Sequence, residues 1–110
     1  MVIDFEKIPH QTIEHMKGGE LSVDACIFDA PEIRIIKGRL IPGSSIGLHR
    51  HEPNSETIYI LEGHGKAICD GEVEPLKPGS CSYCKKGHEH TLINDSDEDL
   101  VFFGVIPIQP

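Results

Sequence analysis

Short apolar runs separated by turn residues recur along most of the chain. From Glu20 onward, the breaks between these runs contain glycine, proline or aspartate, and Asp70-Gly71 is typical of a two-residue hairpin turn with positive φ. Short runs at such close spacing predict strands rather than long helices, as in a sandwich or barrel. We therefore expect an all-β fold. The predicted strands are residues 21–28, 33–41, 45–51, 56–62, 65–69, 73–76, 80–84, 89–94 and 99–108.

The first twenty residues differ from the rest, because no regular hydrophobic period runs through them. We therefore expect an N-terminal arm at residues 1–20 and a barrel domain at residues 21–110. Within the arm, residues 3–5 and 7–9 are candidates for short edge strands, since a proline limits pairing. Residues 10–17 are a candidate for one helical turn.

Charge and composition bear on partners more than on fold. A formal net charge of −8 leaves no basic stripe that could neutralise a phosphate backbone, so nucleic acid is not an expected partner. An acidic membrane surface is not expected either. No apolar run approaches the roughly 20 residues that span a bilayer, and the first residues lack the basic start and apolar core of a signal peptide. We expect a single, cytoplasmic domain.

Four cysteines, without an export signal, predict reduced thiols rather than a disulfide framework. Cys81 and Cys84 have the C-x-x-C spacing of redox pairs and zinc sites. They fall in a predicted strand, however, where residues i and i+3 point to opposite faces. Packing is the expected role of these cysteines, and a redox or zinc role for the pair is left open.

Three side chains that suit a metal ion stand between Gly43 and Gly63. His49 and His51 are two residues apart, so they point the same way only on an extended segment. Glu56 begins the next apolar run, and a neighbouring strand could bring its carboxylate beside the two imidazoles. Imidazole and carboxylate together suit divalent transition metals, and we expect a fourth ligand downstream.

Two spaced motifs resemble those of the cupin superfamily. The first has five, one, four and six residues between Gly43, His49, His51, Glu56 and Gly63. The second has five, one, two and three residues between Gly79, Lys85, Gly87, His90 and Asn94. The family usually has proline at the position of Lys85, and aspartate is common at the position of Ser80. Neither is a ligand position.

This resemblance implies a cupin double-stranded β-helix, a jelly-roll barrel of two antiparallel sheets. It also implies that His49, His51, Glu56 and His90 bind one divalent transition metal. Such a set keeps coordination positions open to water or substrate, unlike a structural four-cysteine zinc site. Mn or Fe is favoured, while Ni, Co, Zn and Cu stay open. The resemblance further implies a homodimer, formed through the apolar strand at residues 101–103 or through the N-terminal arm.

Strand parity predicts what surrounds the metal. Ile58 and Ile60 share a strand face with Glu56, which predicts a mainly apolar cavity with a few polar groups. The sequence does not fix a catalytic residue. His88 shares its face with His90 and is the one candidate, as a proton carrier near the mouth of the cavity.

The expected ligand is a small organic molecule, and the leading hypothesis is a metal-dependent enzyme, with a binding module and a structural protein as alternatives. As an enzyme, the protein would use the metal to polarise a substrate oxygen or bind dioxygen, giving dioxygenase-like chemistry, slightly favoured, or isomerase or lyase chemistry at a carbonyl. As a binding module, it would sense or store a metabolite, since ligand residues indicate binding and not turnover. A structural role in assembly is the third hypothesis. Arg34, Lys37 and Arg39 are candidates for contact with a carboxylate or phosphate.

Overall fold

Ten strands form two antiparallel sheets in the computed structural model, which describes residues 1–110. The strands are β1 (Gln11–Glu14), β2 (Ser22–Ala30), β3 (Ile33–Leu40), β4 (Ser45–Arg50), β5 (Glu56–Glu62), β6 (Gly65–Cys69), β7 (Glu72–Leu76), β8 (Cys81–Cys84), β9 (Glu89–Ile93) and β10 (Leu100–Pro107). One sheet has the order β1-β2-β3-β10-β5-β8, and the other has the order β4-β9-β6-β7. The prediction of an all-β jelly roll is confirmed.

The nine predicted strands correspond to β2 through β10, and their ends differ from the predicted ones by no more than two residues. The turn signals explain this agreement, because glycines with positive φ occupy the breaks, among them Gly43, Gly63, Gly71 and Gly79. Asp70 also has a positive φ, of 50°, as a two-residue hairpin requires. No helix in this structure is both long enough and apolar enough to cross a membrane.

The expectation of short edge strands at residues 3–5 and 7–9 was wrong. Residues 3–5 and 7–9 are not strands, and Phe5–Lys7 instead forms a 3-10 turn. The Asp4 carboxylate caps this turn by accepting a hydrogen bond of 3.0 Å from the backbone N–H of Glu6. Local capping chemistry therefore determines the structure here.

A strand occupies half of the segment 10–17, where one helical turn was expected, and a 3-10 turn follows it at Met16–Gly18. Gln11–Glu14 is β1, and it pairs antiparallel with β2. Backbone groups at the edge of β2 provide the hydrogen-bond partners of β1. Because these partners lie further along the chain, the residues of β1 show no regular hydrophobic period that would predict a strand. The division into an arm (1–20) and a barrel (21–110) stays a prediction, although β1 extends the six-stranded sheet.

The core lies between the two sheets. It is a cluster of 12 buried apolar residues, namely Val23, Ala25, Ile36, Leu40, Ile46, Ile58, Ile60, Ala67, Leu76, Leu92, Leu100 and Phe102. Phe102 is the largest fully buried side chain, and its ring lies directly over Gly38 of the neighbouring strand β3. A Cβ atom at Gly38 would overlap that ring. Glycine is therefore required at this position by packing.

We expect Gly38→Ala to lower the free energy of unfolding by about 1–3 kcal/mol, because the added methyl group overpacks the core against Phe102. Urea unfolding followed by circular dichroism measures this loss. The matched control is the double variant Gly38→Ala/Phe102→Leu, in which the smaller side chain makes room for the methyl group. The double variant should lose less than the sum of the two single losses, and strict additivity would contradict the proposed overlap.

Candidate metal centre

Four side chains from β4, β5, β9 and the segment after β4 converge inside the barrel. They are His49, His51, Glu56 and His90, which we call the ligand group. His49 lies directly opposite His90 in the pairing of β4 with β9. His51 follows the end of β4, and its backbone N–H donates a hydrogen bond of 2.9 Å to the carbonyl of His88. Backbone pairing therefore holds both ends of the His49–His51 segment near β9.

The ligand atoms of these four side chains all lie within 4.8 Å of one another. His90 Nε2 is 2.9 Å from His51 Nε2, 3.2 Å from His49 Nε2 and 2.9 Å from Glu56 Oε1. Glu56 Oε1 is 3.2 Å from His51 Nε2 and 3.9 Å from His49 Nε2. Two ligands at right angles on an ion with bonds of about 2.1 Å are roughly 3 Å apart. The four atoms therefore fit around one metal ion.

Hydrogen bonds fix the ring orientation of two of the histidines. His49 Nδ1 donates to the carbonyl of Gly47 at 2.7 Å, and His51 Nδ1 donates to Asn54 Oδ1 at 2.6 Å. A ring that carries its proton on Nδ1 has a lone pair on Nε2, which is the usual arrangement of metal-binding histidines. His90 Nδ1 is buried without a hydrogen-bond partner. The donor set therefore fits a metal ion, since lone pairs this close repel unless a cation lies between them.

The electrostatics of the site favour an ionised carboxylate. Burial by itself disfavours ionisation of Glu56, but hydrogen bonds with His49, His51 and His90 outweigh burial and hold the pKa of this carboxyl well below its usual range. Burial likewise opposes protonation of His51, but hydrogen bonds with Glu56 and Asn54 raise the pKa of His51 above its ordinary value. The site therefore favours positive charge, either as protons or as a metal ion that the ligand group could hold.

The ligand group opens on a cavity of about 440 Å³. Of the 17 residues that line it, 8 are hydrophobic, so the cavity is more polar than strand parity predicted. Ile58 and Ile60 do not line it, whereas Ile36, Ile46 and Phe102 of the core do. The charged residues that line it, apart from the ligand group, are Lys17, Asp29, Arg34 and Arg50. Positive side chains thus outnumber negative ones at the mouth, although the chain as a whole is acidic.

The basic candidates from the sequence separate in the structure. Arg34 lines the metal cavity, and its Nε and Nη2 donate to the Asp29 carboxylate at 2.6 and 3.0 Å. Lys37 and Arg39 line a different groove, of about 140 Å³. They point away from the ligand group because they share the outer strand face that alternates with buried Ile36 and Gly38.

Sequence reasoning missed three residues around the ligand group. Lys17 and Arg50 line the cavity, and Asn54 orients His51. The sequence could have indicated Asn54 as a contact of the ligand group, because it lies in the short connection between His51 and Glu56, where side chains are near both ligands. Lys17 had no such signal, since it lies far from the motifs in sequence.

His88 is exposed, and it lies in the turn before β9 rather than on the strand face of His90. Its Nδ1 contacts the Asp70 carboxylate, and this hydrogen bond lowers the pKa of Asp70. Both residues line a second cavity, of about 310 Å³, which does not contain the ligand group. A catalytic role for His88 stays a prediction, without support from its position.

Cys81 and Cys84 lie on opposite faces of β8, as strand parity predicts. Cys81 is exposed and Cys84 is buried, and all four cysteines are free thiols. Burial raises the pKa of Cys84 to about 12, which keeps this thiol protonated at neutral pH. A protonated, buried thiol packs as a small apolar group.

Comparisons with known proteins agree with this geometry. A family model described as a cupin domain matches residues 37–106. A Thermotoga maritima protein named oxalate-binding protein is 35% identical over 112 residues, which cover 96% of this chain and 93% of that protein. The beta-alanine degradation protein BauB of Pseudomonas aeruginosa is 29% identical over 89 residues, which cover 79% of this chain and 94% of that protein.

A solved structure provides a third comparison. The crystal structure of a predicted oxalate decarboxylase from Thermotoga maritima has a TM-score of 0.92 and 32% sequence identity to this chain. The match covers 99% of this chain and 100% of that one. The matched family segment contains both spaced motifs and the whole ligand group. The chain therefore belongs to the cupin family.

Proposed function

We propose that the protein binds one divalent transition metal through the ligand group and, at that metal, a small dicarboxylate of the oxalate class. Mn or Fe is the favoured ion, since a mixed shell of imidazole and carboxylate suits either. One observation carries the proposal: the ligand group opens on a cavity whose mouth has three cationic side chains, Lys17, Arg34 and Arg50.

The charge distribution favours an anion as the ligand. The formal net charge of the chain is −8, so an anion is repelled by most of the surface. At the cavity mouth the balance is reversed, because Asp29 is the only carboxylate there outside the ligand group, and Arg34 already pairs with it. The names of the Thermotoga maritima matches, "oxalate-binding protein" for the sequence and "predicted oxalate decarboxylase" for the solved structure, support oxalate as the representative anion.

A bound divalent metal would supply a Lewis acid that polarises carboxylate oxygens. The residues of the chain do the rest. Gly47 and Asn54 fix the His49 and His51 rings, and the cationic side chains offset the charge of the ligand. Ile46 and Phe102 line the apolar side of the cavity and limit the water that reaches the ligand group.

Turnover is the second candidate function. The similarity to a predicted oxalate decarboxylase favours lyase chemistry, in which a carbon–carbon bond of the substrate breaks and the product carbon takes up a proton. The cavity has no free carboxyl group to deliver that proton, because Asp29, the one carboxylate there outside the ligand group, is held by both edge nitrogens of Arg34. Binding is therefore the better supported function. Dioxygenase-like and isomerase chemistry would use the same ligand group and stay open.

The homodimer also stays a prediction, but the expected contact through residues 101–103 was wrong, because β10 is already paired on both sides, with β3 and with β5. Tyr59, Leu61 and Tyr83 are exposed large apolar side chains on β5 and β8 of the six-stranded sheet. Their exposure supports a contact with a second copy through the outer face of this sheet.

We expect His51→Ala to abolish metal binding while the barrel stays folded. Wild-type protein isolated without added metal should contain close to one equivalent of a transition metal, and the variant less than about 0.2 equivalents. Elemental analysis with circular dichroism measures both properties. His64→Ala is the matched control, because His64 is an exposed histidine in a turn outside the cavity. Equal metal content in His51→Ala and wild type would contradict the assignment.

Metal-loaded protein should bind oxalate in a calorimetric titration, and metal-free protein should not, because the metal provides the oxygen-binding positions. The same samples are then incubated with oxalate and assayed for formate and carbon dioxide. We expect no product above the protein-free background. Sustained formate release would establish turnover and replace the binding proposal with the lyase candidate.

Asn54→Ala should weaken metal affinity roughly 10- to 100-fold, as is typical when the partner that orients a metal-binding histidine is removed. The Asn54 side-chain carbonyl accepts a hydrogen bond from His51 Nδ1. Without this bond, the tautomer of the His51 ring is no longer fixed. Competition with a fluorescent chelator measures the affinity. Asn54→Asp keeps the acceptor and should retain near wild-type affinity. Equal weakening in the two variants would show that hydrogen bonding to His51 is not the cause.

A further inference from the structure

The segment from His15 to Leu21 has a backbone conformation that residues other than glycine rarely adopt. His15, Lys17 and Leu21 have φ values of 50°, 55° and 54°, and none of them is glycine. A Cβ atom in this left-handed region is crowded by the backbone, so the conformation is unfavourable unless the surroundings enforce it. Three such residues in one short segment indicate that contacts with the rest of the fold hold this segment in place.

Hydrogen bonds and close packing enforce this conformation. The segment is closed by the backbone bond from His15 N–H to the Leu21 carbonyl at 2.8 Å. It is attached to β4 because Ser45 N–H donates to the Glu20 carbonyl at 3.0 Å and Ser45 Oγ accepts from Glu20 N–H at 2.9 Å.

The approach of this segment to β4 is so close that it excludes any side chain at Gly47. A Cβ atom there would overlap the Lys17 carbonyl. The Gly47 carbonyl also accepts the hydrogen bond from His49 Nδ1. The strained segment therefore packs on the backbone that orients one member of the ligand group.

This arrangement brings Lys17 to the metal cavity, where it lies among the lining residues with His49 and His51. Lys17 is exposed, so its ammonium group lies at the mouth of the cavity, where an incoming solute meets it.

Of the three cations at the mouth, Lys17 alone has no partner. Arg34 donates two hydrogen bonds to Asp29. Arg50 donates to the Gly87 carbonyl, and its Nη2 is 3.6 Å from a Glu89 carboxylate oxygen. No carboxylate lies within ion-pair distance of Lys17, since the ion pairs of lysine and arginine involve only Arg34, Arg39, Arg50 and Lys66.

We infer that Lys17 determines specificity for an anion, by binding the ligand oxygens that face away from the metal. The inference rests on the proposed function and adds the residue that selects a dicarboxylate. A ligand with two charged carboxylates satisfies both the metal and the unpaired ammonium group. A ligand with one carboxylate leaves the ammonium without a partner.

The test compares wild type, Lys17→Met and Lys17→Arg, each loaded with the same metal and titrated calorimetrically with oxalate and with oxamate, its neutral-amide analogue. Lys17→Met should bind oxalate roughly 10- to 100-fold more weakly, the usual effect of losing a charge-assisted hydrogen bond. Oxamate affinity should change much less, and Lys17→Arg should recover most of the oxalate affinity. Lys66→Met is the matched control, because Lys66 lies outside the cavity and pairs with Asp95 at 3.7 Å.

Lys17→Gly separates loss of charge from loss of structure. Glycine adopts the left-handed conformation without crowding, so this variant should melt no lower than wild type and still lose oxalate affinity. Metal content must be equal in all samples. Unchanged oxalate affinity in Lys17→Met, with wild type binding oxalate, overturns the inference alone. No oxalate binding by metal-loaded wild type overturns the proposed function, and the inference with it.

Discussion

The register between β4 and β9 is the constraint on which the site depends, because it sets His49 directly opposite His90. A slip of one residue would turn every side chain of one strand to the other face and remove His90 from the barrel interior. The pairing shifts between Ile46 and His49, and the backbone bond from His51 to His88 resumes contact beyond the strand end. The irregularity in β4 thus brings the side chains of His49 and His51 into the same site.

The buried carboxylate of Glu56 is the one acidic member of the ligand group. A buried charge is unfavourable unless it is paired, and the Nε2 atoms of three histidines that surround Glu56 leave room for a cation that would pair with it. Space for the carboxylate depends on Gly104 of β10, where a Cβ atom would lie 3.2 Å from Glu56 Oε2 and 2.9 Å from Ile36. The six-stranded sheet therefore positions the negative ligand and the four-stranded sheet positions His49 and His90, so metal binding would join the two sheets.

The N-terminal residues contribute to this site as well as to the sheet. Strand β1 extends the six-stranded sheet, and the next segment crosses to β4 of the other sheet and reaches the cavity with Met16 and Lys17. Left-handed residues are unfavourable on their own, but bonds to Ser45 and the close approach to Gly47 offset that cost. The cavity is consequently formed by both sheets and by residues outside the matched cupin segment.

The sequence by itself determined what depends on neighbours along the chain. Short apolar runs and turn residues located β2 to β10, and fixed spacing identified His49, His51 and Glu56, with His90 supplied by family resemblance. Tertiary structure alone decided the pairing of β1, the entry of Lys17 and Arg34 into the cavity, the tautomer that Asn54 imposes on His51 and the outward position of His88. The physical reason is that local patterns record which face of a strand a residue occupies. What lies opposite that face is set by contacts between segments far apart in sequence.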